Sequence, residues 1–251
     1  NDSGSNYIET NLASVLTTST WYNIVCTYDG SQTGNTDKAK IYINGTEVAY
    51  AAGLGTIPAT TSASTGPFNI GQWDLGGSNR FFNGKIDEVS IFNKTLNQAE
   101  ITSVYNNGYP TDITALSPVS WWRLGEDAYF DGTDFTIPNK ISGALNGTSD
   151  NMAATALVAN APGSYAAGLG SSLAVDDRVG DAALSTANSV SFNMTPVNRV
   201  SYPAGYVPTQ VDNVYSMALD GVNDYIYTPS PSLGITNAWS VSAWVKTAAL
   251  S

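Results

Sequence analysis

Apolar and polar residues alternate with a period of two near both ends of this chain, and that pattern constrains its fold most. In residues 38–43, two lysines and a tyrosine alternate with alanine and isoleucine, and in residues 239–245 a tryptophan, two valines and an alanine share one face. Successive side chains of a strand point to opposite faces of a sheet, so each run packs one face on a core. Asn44 and Gly45, directly after the first run, are typical of a two-residue hairpin turn. The pattern therefore predicts antiparallel β-sheets.

One short helix is predicted after the strand of residues 81–92. Asn97 is a good N-cap residue, and Glu100 three residues later completes a capping box. Apolar residues of the next two turns share one face, and Gly108 followed by Pro110 is typical of a helix end. We therefore expect an all-β fold with one short helix.

The composition excludes several kinds of chemistry. The 251 residues include no histidine, which excludes Ser-His-Asp and Cys-His catalysis and imidazole ligands for metals. A formal net charge of −11 opposes binding to nucleic acids and to anionic membranes, because such binding needs clustered Lys and Arg. No run of about 18 apolar residues is present, so we expect no membrane insertion. The single cysteine, Cys26, lies in a strand-like run where a buried, inert thiol is favoured over a reactive one.

Four motifs resemble, in their order along the chain, the C-terminal half of a laminin-G-like, concanavalin A-like jelly roll. They are WYNIVCTYDG (21–30), IYING (41–45), FNIG (68–71) and FNGKIDEVSIFNKTLNQAEI (82–101). Two later motifs, LDGVNDYI (219–226) and WSVSAWVK (239–246), resemble the N-terminal half of the same domain. The resemblance implies a jelly-roll β-sandwich of antiparallel strands, present as two half-domains in inverted order.

This resemblance divides the chain into three segments. Residues 1–109 resemble the C-terminal half of a jelly roll, residues 110–214 form an irregular spacer with few strands, and residues 215–251 resemble the N-terminal half of a further jelly roll. The spacer also resembles those that precede such jelly rolls in structural proteins of aquatic bacteriophages. That second resemblance implies a virion, extracellular or cell-surface location. A charged fraction of 12%, well below the usual level, is typical of such proteins.

Three arrangements account for the inverted order. The segment is cut from a longer chain with at least two jelly rolls, or one chain folds as a circular permutant, or residues 215–251 complete the sandwich of the next copy. The first needs the fewest assumptions, because a permutant has only residues 247–251 and 1–20 between two family strands and is expected to lack a strand. Half-sandwiches expose apolar faces and open strand edges. We therefore expect both chain ends to contact neighbouring copies or other segments of the same assembly.

Asp87 and Glu88 form the most prominent acidic pair. Because adjacent residues of a strand point to opposite faces, the two carboxylates are not expected to act on one bond. Asp87 is in phase with Val89 and Ile91, which predicts a carboxylate near a core-facing row. Two interpretations remain open: a hydrogen-bonded structural aspartate, which the pattern favours, and a ligand of one structural Ca²⁺.

Asp220, Asn223 and Asp224 bring together hard oxygen ligands of the kind that Ca²⁺ prefers. The resemblance implies the same metal, since members of this family often hold a structural Ca²⁺ at the rim of the sandwich. These residue types are also common in turns, and a turn without metal is the favoured interpretation. We therefore expect at most one structural Ca²⁺ and no other cofactor.

Exposed aromatic side chains can stack on sugar rings, as in lectin-like sites. Trp73, in a predicted loop, is the best candidate, and Tyr42 and Asn79 follow it. Packing in the core or at the rim of the sandwich is favoured for each of them. Surface glycans are therefore the second class of partner that the sequence suggests, after neighbouring copies.

The sequence predicts no catalytic residue. Glucanases of the resembled superfamily place two glutamates on one strand face in a Glu-x-Asp-x-x-Glu phrase, which this chain lacks. The first hypothesis is therefore a non-enzymatic structural or adhesive module of a virion, fibre or extracellular assembly. A carbohydrate-binding, lectin-like module is the alternative, and a glycan hydrolase is the least favoured hypothesis.

Overall fold

The structure is a computed structural model, and it describes residues 7–9, 15–50, 52–61, 66–73, 79–163, 213–228 and 235–249. All of these residues fall in one compact unit, built from residues 1–164 and 210–251. Residues 164–212, which belong to the predicted spacer, lie outside the described residues.

The described strands are listed here in chain order: β1 Tyr7–Glu9, β2 Tyr22–Asp29, β3 Ala39–Ile43, β4 Thr46–Glu47, β5 Ala52–Leu54, β6 Phe68–Ile70, β7 Gln72–Trp73, β8 Arg80–Phe81, β9 Asn83–Phe92, β10 Ser120–Trp122, β11 Tyr129–Phe130, β12 Phe135–Ile137, β13 Gly147–Asp150, β14 Leu157–Val158, β15 Ser216–Asp220, β16 Tyr225–Thr228 and β17 Ala238–Thr247. The helices are α1 Asn35–Lys38, a single turn, and α2 Gln98–Tyr105. Short 3₁₀ turns occupy Asn106–Gly108, Thr114–Leu116 and Ala154–Ala156.

Two large antiparallel sheets form the sandwich. The eight-stranded sheet has the order β14-β15-β9-β17-β2-β3-β4, and β10 pairs with β9 beside that path. The five-stranded sheet has the order β11-β12-β13-β16-β6, and two further pairs, β1-β5 and β7-β8, complete the described strands. The predicted fold class, an antiparallel all-β sandwich with one short helix of more than a single turn, is confirmed.

Strands from the end of the chain pair with strands from its beginning. β17 lies between β2 and β9, and β16 lies between β13 and β6. The backbone N–H of Ser19 donates to the carbonyl of Thr247 (2.9 Å), so the end of β17 lies beside the segment that leads into β2. This pairing corresponds to the second of the three arrangements, a permuted sandwich within one chain.

The middle of the chain supplies strands to both sheets. Residues 120–158 contain β10 to β14, which pair with β9, with β15 and with β16. The strand that a permutant was expected to lack therefore has substitutes from this region. The boundaries of the three segments stay predictions, because pairing within one chain and pairing between equivalent copies use the same strands.

Two apolar cores hold these strands together. The first lies between the two large sheets and includes Ile70, Ile86, Val89, Ile91, Trp122, Phe135, Ile137, Met217, Leu219 and Ile226. The second lies on the other face of the eight-stranded sheet, against α2, and includes Val25, Tyr42, Phe92, Leu96, Ile101, Val104, Ile113 and Trp121. Full burial of a large apolar side chain contributes about 1.5–3 kcal/mol. The first core draws on all three segments of the chain, so its burial stabilises their association.

Two locally encoded elements form as the sequence predicts. Asn97 caps α2 by accepting the backbone N–H of Glu100 (3.1 Å), whose carboxylate in turn accepts the N–H of Asn97 (2.9 Å). The helix ends earlier than predicted, because Asn106 takes the left-handed conformation at its C-cap. Asn44 and Gly45 have φ values of 50° and 79°, as a two-residue hairpin turn between β3 and β4 requires. Neither helix of the described residues has the length or the apolar sequence that crossing a bilayer needs.

Candidate functional site

Asp87 and Glu88 lie at a β-bulge in the middle of β9. Ser242 of β17 pairs with Ser90 and Trp244 pairs with Asp87, so two residues of β9 lie opposite one residue of β17. Glu88 takes the left-handed backbone conformation at this bulge, with a φ of 49°. A bulge leaves one strand with an extra residue and shifts the alternation of its side chains.

The bulge turns both carboxylates to the same face of β9. Ile86, Val89 and Ile91 all contribute to the first core. Residues on one face of a regular strand are two apart, so the step of three from Ile86 to Val89 shows that the alternation of side chains shifts at the bulge. Carboxylate oxygens of Asp87 and Glu88 lie within 4.8 Å of each other. The prediction that the pair lies on opposite faces, with Asp87 in phase with Val89, is therefore wrong, because it assumes a regular strand.

Three carboxylates and one guanidinium form the group that we call the acidic cluster: Asp87, Glu88, Glu126 and Arg123. Oxygens of the three carboxylates all lie within 4.8 Å of one another. Arg123 Nε donates to Glu88 Oε1 (2.9 Å), and its Nη2 lies 3.6 Å from Glu126 Oε2. Trp121 Nε1 donates to the second oxygen of Glu88 (2.6 Å). Because the guanidinium supplies the positive charge among these carboxylates, the cluster fits an ion-pair network better than a Ca²⁺ site.

Burial changes the proton affinity of two of these carboxyls. It raises the pKa of Glu88 to about 7, although the charge and the hydrogen bond of Arg123 act in the opposite direction. Burial also raises the pKa of Asp87 well above its ordinary value, and the charges of Glu88 and Glu126 add to the rise. The acidic cluster can therefore take up and release protons near neutral pH.

The acidic cluster also forms hydrogen bonds with residues 213–215, which lead into β15. Asn213 Nδ2 donates to Asp87 Oδ2 (3.0 Å). One oxygen of Glu126 accepts the backbone N–H groups of Val214 and of Tyr215, the latter at 2.9 Å. The polypeptide that enters β15 is therefore held by two carboxylates of the acidic cluster.

Asp220, Asn223 and Asp224 form a hydrogen-bonded turn between β15 and β16. Asp220 Oδ1 accepts the backbone N–H groups of Val222 (2.7 Å), Asn223 (3.2 Å) and Asp224 (3.4 Å). Asp224 Oδ2 accepts the N–H of Asp220 (3.1 Å). The hydrogen bonds, first that from Val222, hold the pKa of Asp220 below its ordinary value. These contacts agree with the favoured interpretation as a turn, and Ca²⁺ binding here stays a prediction.

The two acidic groups are separate in the structure. Asp220 pairs with Asn83 at the beginning of β9, whereas Asp87 lies four residues further along that strand. At about 3.3 Å per residue, this separation amounts to about 13 Å. The predicted calcium ligands Asp87 and Asp220 therefore do not converge on one ion.

The outer face of the five-stranded sheet carries one polar or aromatic side chain from each strand in a continuous line. This line, the tyrosine row, runs in cross-strand register through Tyr129, Thr136, Thr148, Tyr227 and Asn69. Thr136 is exposed between the buried Phe135 and Ile137, so the row faces away from the first core. Tyr129 is 65% exposed. With about 4.8 Å between neighbouring strands, the row spans about 19 Å.

A second group of aromatic rings adjoins the tyrosine row. The ring of Tyr225 lies 6.0 Å from that of Tyr227 and 6.3 Å from that of Phe81. The hydroxyl of Tyr225 donates to Asp150 Oδ2 (3.1 Å). Rings and hydrogen-bonding groups therefore lie side by side on this face, which is the composition of a site for an amphipathic ligand.

Trp73 and Asn79 lie near each other, on either side of residues 74–78, which are outside the described residues. Trp73 is 58% exposed in β7, and it pairs with Arg80 of β8. The guanidinium carbon of Arg80 lies 5.4 Å from the centre of the Trp73 ring. Asn79, directly before Arg80, is exposed. The structure therefore leaves both side chains accessible, with one face of the indole near a cation.

Tyr42 does not join the other two predicted sugar-binding residues. It lies in β3 of the eight-stranded sheet and is 6% exposed. Its ring belongs to the second core, with Val25 and Phe92 among its neighbours in that cluster. Because the core encloses the ring, Tyr42 offers no open aromatic face to a sugar.

A cleft of about 600 Å³ opens beside β10 and is lined by Ser120, Trp122, Leu145 and Thr228 among others. The indole N–H of Trp122 donates to the carbonyl of Leu145 (3.1 Å), so this donor is already bonded. No acidic or basic side chain is among the described residues that line this cleft. The cleft therefore lacks the charged groups on which acid–base chemistry depends.

Sequence reasoning missed the residues that complete the acidic cluster and the tyrosine row. Arg123 and Glu126 stand 35 or more residues from the bulge, and nothing in their spacing pairs them with it. The signal for the tyrosine row is present in the sequence, because Tyr225 and Tyr227 alternate with the buried Ile226. The alternation identifies an outward-facing pair, but the strands beside it come from distant parts of the chain.

Comparison with known families supports the resemblance that the motifs suggested. Residues 1–102 match the laminin G family that is described as the concanavalin A-like lectin/glucanases superfamily. No curated protein and no solved structure matches the chain. The match and the fold together support a lectin-like or structural module.

Proposed function

We propose, on the premise that residues 1–102 match the concanavalin A-like lectin/glucanases superfamily, that this protein is a non-enzymatic adhesive module that binds carbohydrate. We place it at the surface of a virion, a fibre or a cell. The observation that carries the proposal is the tyrosine row on the outer face of the five-stranded sheet.

The tyrosine row has the two kinds of group that a sugar chain needs. The apolar faces of sugar rings pack on aromatic rings, and their hydroxyls exchange hydrogen bonds with small polar side chains. Tyr129 and Tyr227 supply the rings, and Thr136 and Thr148 supply donors and acceptors. A row about 19 Å long suits an extended oligosaccharide better than a single sugar.

The burial of the carboxylates supports a role without catalysis. A glycosidase needs two carboxyl groups that reach the scissile bond from opposite sides. Asp87 is 0% exposed and accepts a hydrogen bond from Asn213, and Glu88 is 6% exposed and is paired with Arg123. A substrate on the tyrosine row has no route to them, since they lie at the eight-stranded sheet.

A glycan array tests this proposal. We expect saturable binding of the wild-type chain to one class of oligosaccharide, and at least a tenfold loss of affinity for Tyr227→Ala, which equals about 1.4 kcal/mol. Tyr227→Phe keeps the ring and is expected to retain most of the affinity. Tyr215→Ala is the matched control, because Tyr215 is 42% exposed but lies outside the row.

Two results would contradict the proposal. An array on which the wild-type chain binds nothing removes carbohydrate binding and leaves a purely structural module. Binding that survives Tyr227→Ala but is lost in Trp73→Ala moves the site from the tyrosine row to the β7-β8 pair, where the sequence places it. Turnover of any polysaccharide by the purified chain would replace the adhesive role with an enzymatic one.

A further inference from the structure

Within the part of the chain that the structure describes, residues 213–249 contribute three strands, and each of these strands pairs only with strands of residues 1–163. β15 pairs with β9 and β14, β16 with β6 and β13, and β17 with β2 and β9. We propose that this segment, the donated block, is exchanged between two copies of this chain, so that each copy completes the sandwich of the other.

The donated block occupies central positions in both sheets. β17 has ten residues and separates β2 from β9, with register pairs from Ala238 to Val245 against β2. β16 likewise separates β6 from β13. Without the block, the eight-stranded sheet divides into three parts and the five-stranded sheet into two, all with open edges, and such edges bind a strand from any equivalent chain. The rest of the chain therefore presents a receptor for this block, whichever copy supplies it.

A closed chain and an exchanged pair contain the same contacts. Exchange of an identical element is a route to dimers with little cost in contacts, since every hydrogen bond and apolar contact is remade. The ratio of exchanged pairs to closed chains then depends on the protein concentration relative to the effective concentration that the connection imposes, which is on the order of 1 mM. Residues 164–212 form that connection, and forty-nine residues span at most about 170 Å, so covalent reach permits both forms.

Exchange also makes the tyrosine row a shared surface. Tyr227 belongs to the donated block, whereas Tyr129, Thr136, Thr148 and Asn69 belong to the receptor. In an exchanged pair, each row is completed by the partner copy, and the pair carries two complete rows. The proposal itself rests on strand pairing alone and holds whether or not the row binds carbohydrate.

The single native cysteine provides the test. Cys26 of β2 pairs in register with Val241 of β17, so Val241→Cys places a second thiol opposite the first. Ala243→Cys is the matched control, because position 243 shares the strand and the face but pairs with Ile24. The 251-residue chain is unfolded, refolded at a series of protein concentrations and oxidised. Its products are then separated on non-reducing gels.

The proposal predicts disulfide-linked dimers of Val241→Cys whose ratio to monomer rises about tenfold for a tenfold rise in concentration, by mass action. Ala243→Cys gives no such product. Dimers must also form between tagged and untagged chains that are mixed before refolding. An intrachain disulfide alone, at every concentration up to about 1 mM, would overturn the proposal.

A second pair of thiols keeps the test valid if Val241→Cys does not fold. Lys246 of β17 pairs in register with Lys85 of β9, and both are partly exposed. The double variant Lys85→Cys and Lys246→Cys is made in a Cys26→Ser chain. Disulfide-linked dimers that increase with concentration support the exchange, and an intrachain disulfide alone overturns it. The gel reports strand exchange and not sugar binding, so a blank glycan array leaves its outcome unchanged.

Discussion

Two acidic groups, one beside the start of β15 and the other at its end, behave in opposite ways. In the acidic cluster, burial raises the pKa of Asp87 and of Glu88. In the turn at the end of β15, hydrogen bonds from the backbone lower the pKa of Asp220. The residue types are the same, so the difference arises from burial and from the donors that each carboxylate meets.

The contrast shows what each group does for the fold. The hydrogen bonds that Asp220 accepts come from residues 222–224 of the same turn, and the carboxylate of Asp220 is exposed. The acidic cluster joins the bulge in β9, the strand end at Arg123 and the start of the donated block at Asn213. We therefore expect the cluster to control the association of distant segments, and the turn to have a local effect.

The largest effect is expected from Arg123→Met. This change leaves buried carboxylates without their counter-charge, and breaking a buried pair in this way costs about 3–5 kcal/mol. Urea unfolding at pH 8 measures the loss. Lys140→Met is the matched control, since the pair of Lys140 with Asp127 is exposed and such pairs contribute at most about 1 kcal/mol. Equal losses for the two variants would contradict a special role of the acidic cluster.

A smaller effect is expected from pH. The pKa of Glu88 is raised in the folded chain to about 7, so its contribution to stability is fully present below its unfolded pKa of 4.5 and is lost as the pH rises through 7. The wild-type chain should therefore melt at a higher temperature at pH 5 than at pH 8. The associated change in unfolding free energy is on the order of 3 kcal/mol.

Glu88→Gln and a matched control identify the source of that pH dependence. Glu88→Gln cannot take up a proton, so the difference in melting temperature between pH 5 and pH 8 should shrink. Glu100→Gln should leave that difference unchanged, because a hydrogen bond from Lys94 lowers the pKa of Glu100 and moves its titration below this range. A wild-type chain that is more stable at pH 8 than at pH 5 would contradict the electrostatics of the cluster.

The same contrast explains how much could be predicted from the sequence. The capping box of Asn97 and Glu100 and the hairpin turn at Asn44 depend on neighbours within a few residues, and both are confirmed. The bulge at Glu88 was missed because alternation assumes a regular strand. The partners Arg123 and Asn213 were missed because topology brings Arg123 to Glu88 and Asn213 to Asp87, and no local pattern records those contacts.

The inverted order of the two halves was visible in the motifs, but the motifs did not decide among the three arrangements that produce it. The sequence favoured a segment cut between two jelly rolls, whereas β17 lies between β2 and β9 of the same chain. Strand patterns specify which face of a strand is buried, and they leave open which strand lies beside it. The choice of neighbour, within one copy or between copies, depends on the connection and on concentration.

The smallest effect is expected at the turn, from Asp220→Ala. The change removes an exposed acceptor of three backbone N–H groups, and loss of such local hydrogen bonds costs about 1 kcal/mol. Asp220→Asn keeps an acceptor oxygen and should cost less. Because the pKa of Asp220 is lowered in the folded chain, its contribution is present above the unfolded value of 3.8 and is lost only below it. Between pH 5 and pH 8, the difference in melting temperature between wild type and Asp220→Ala should therefore stay constant. A difference that grows in added Ca²⁺ and returns to its metal-free value with chelator would show that this turn also holds the metal.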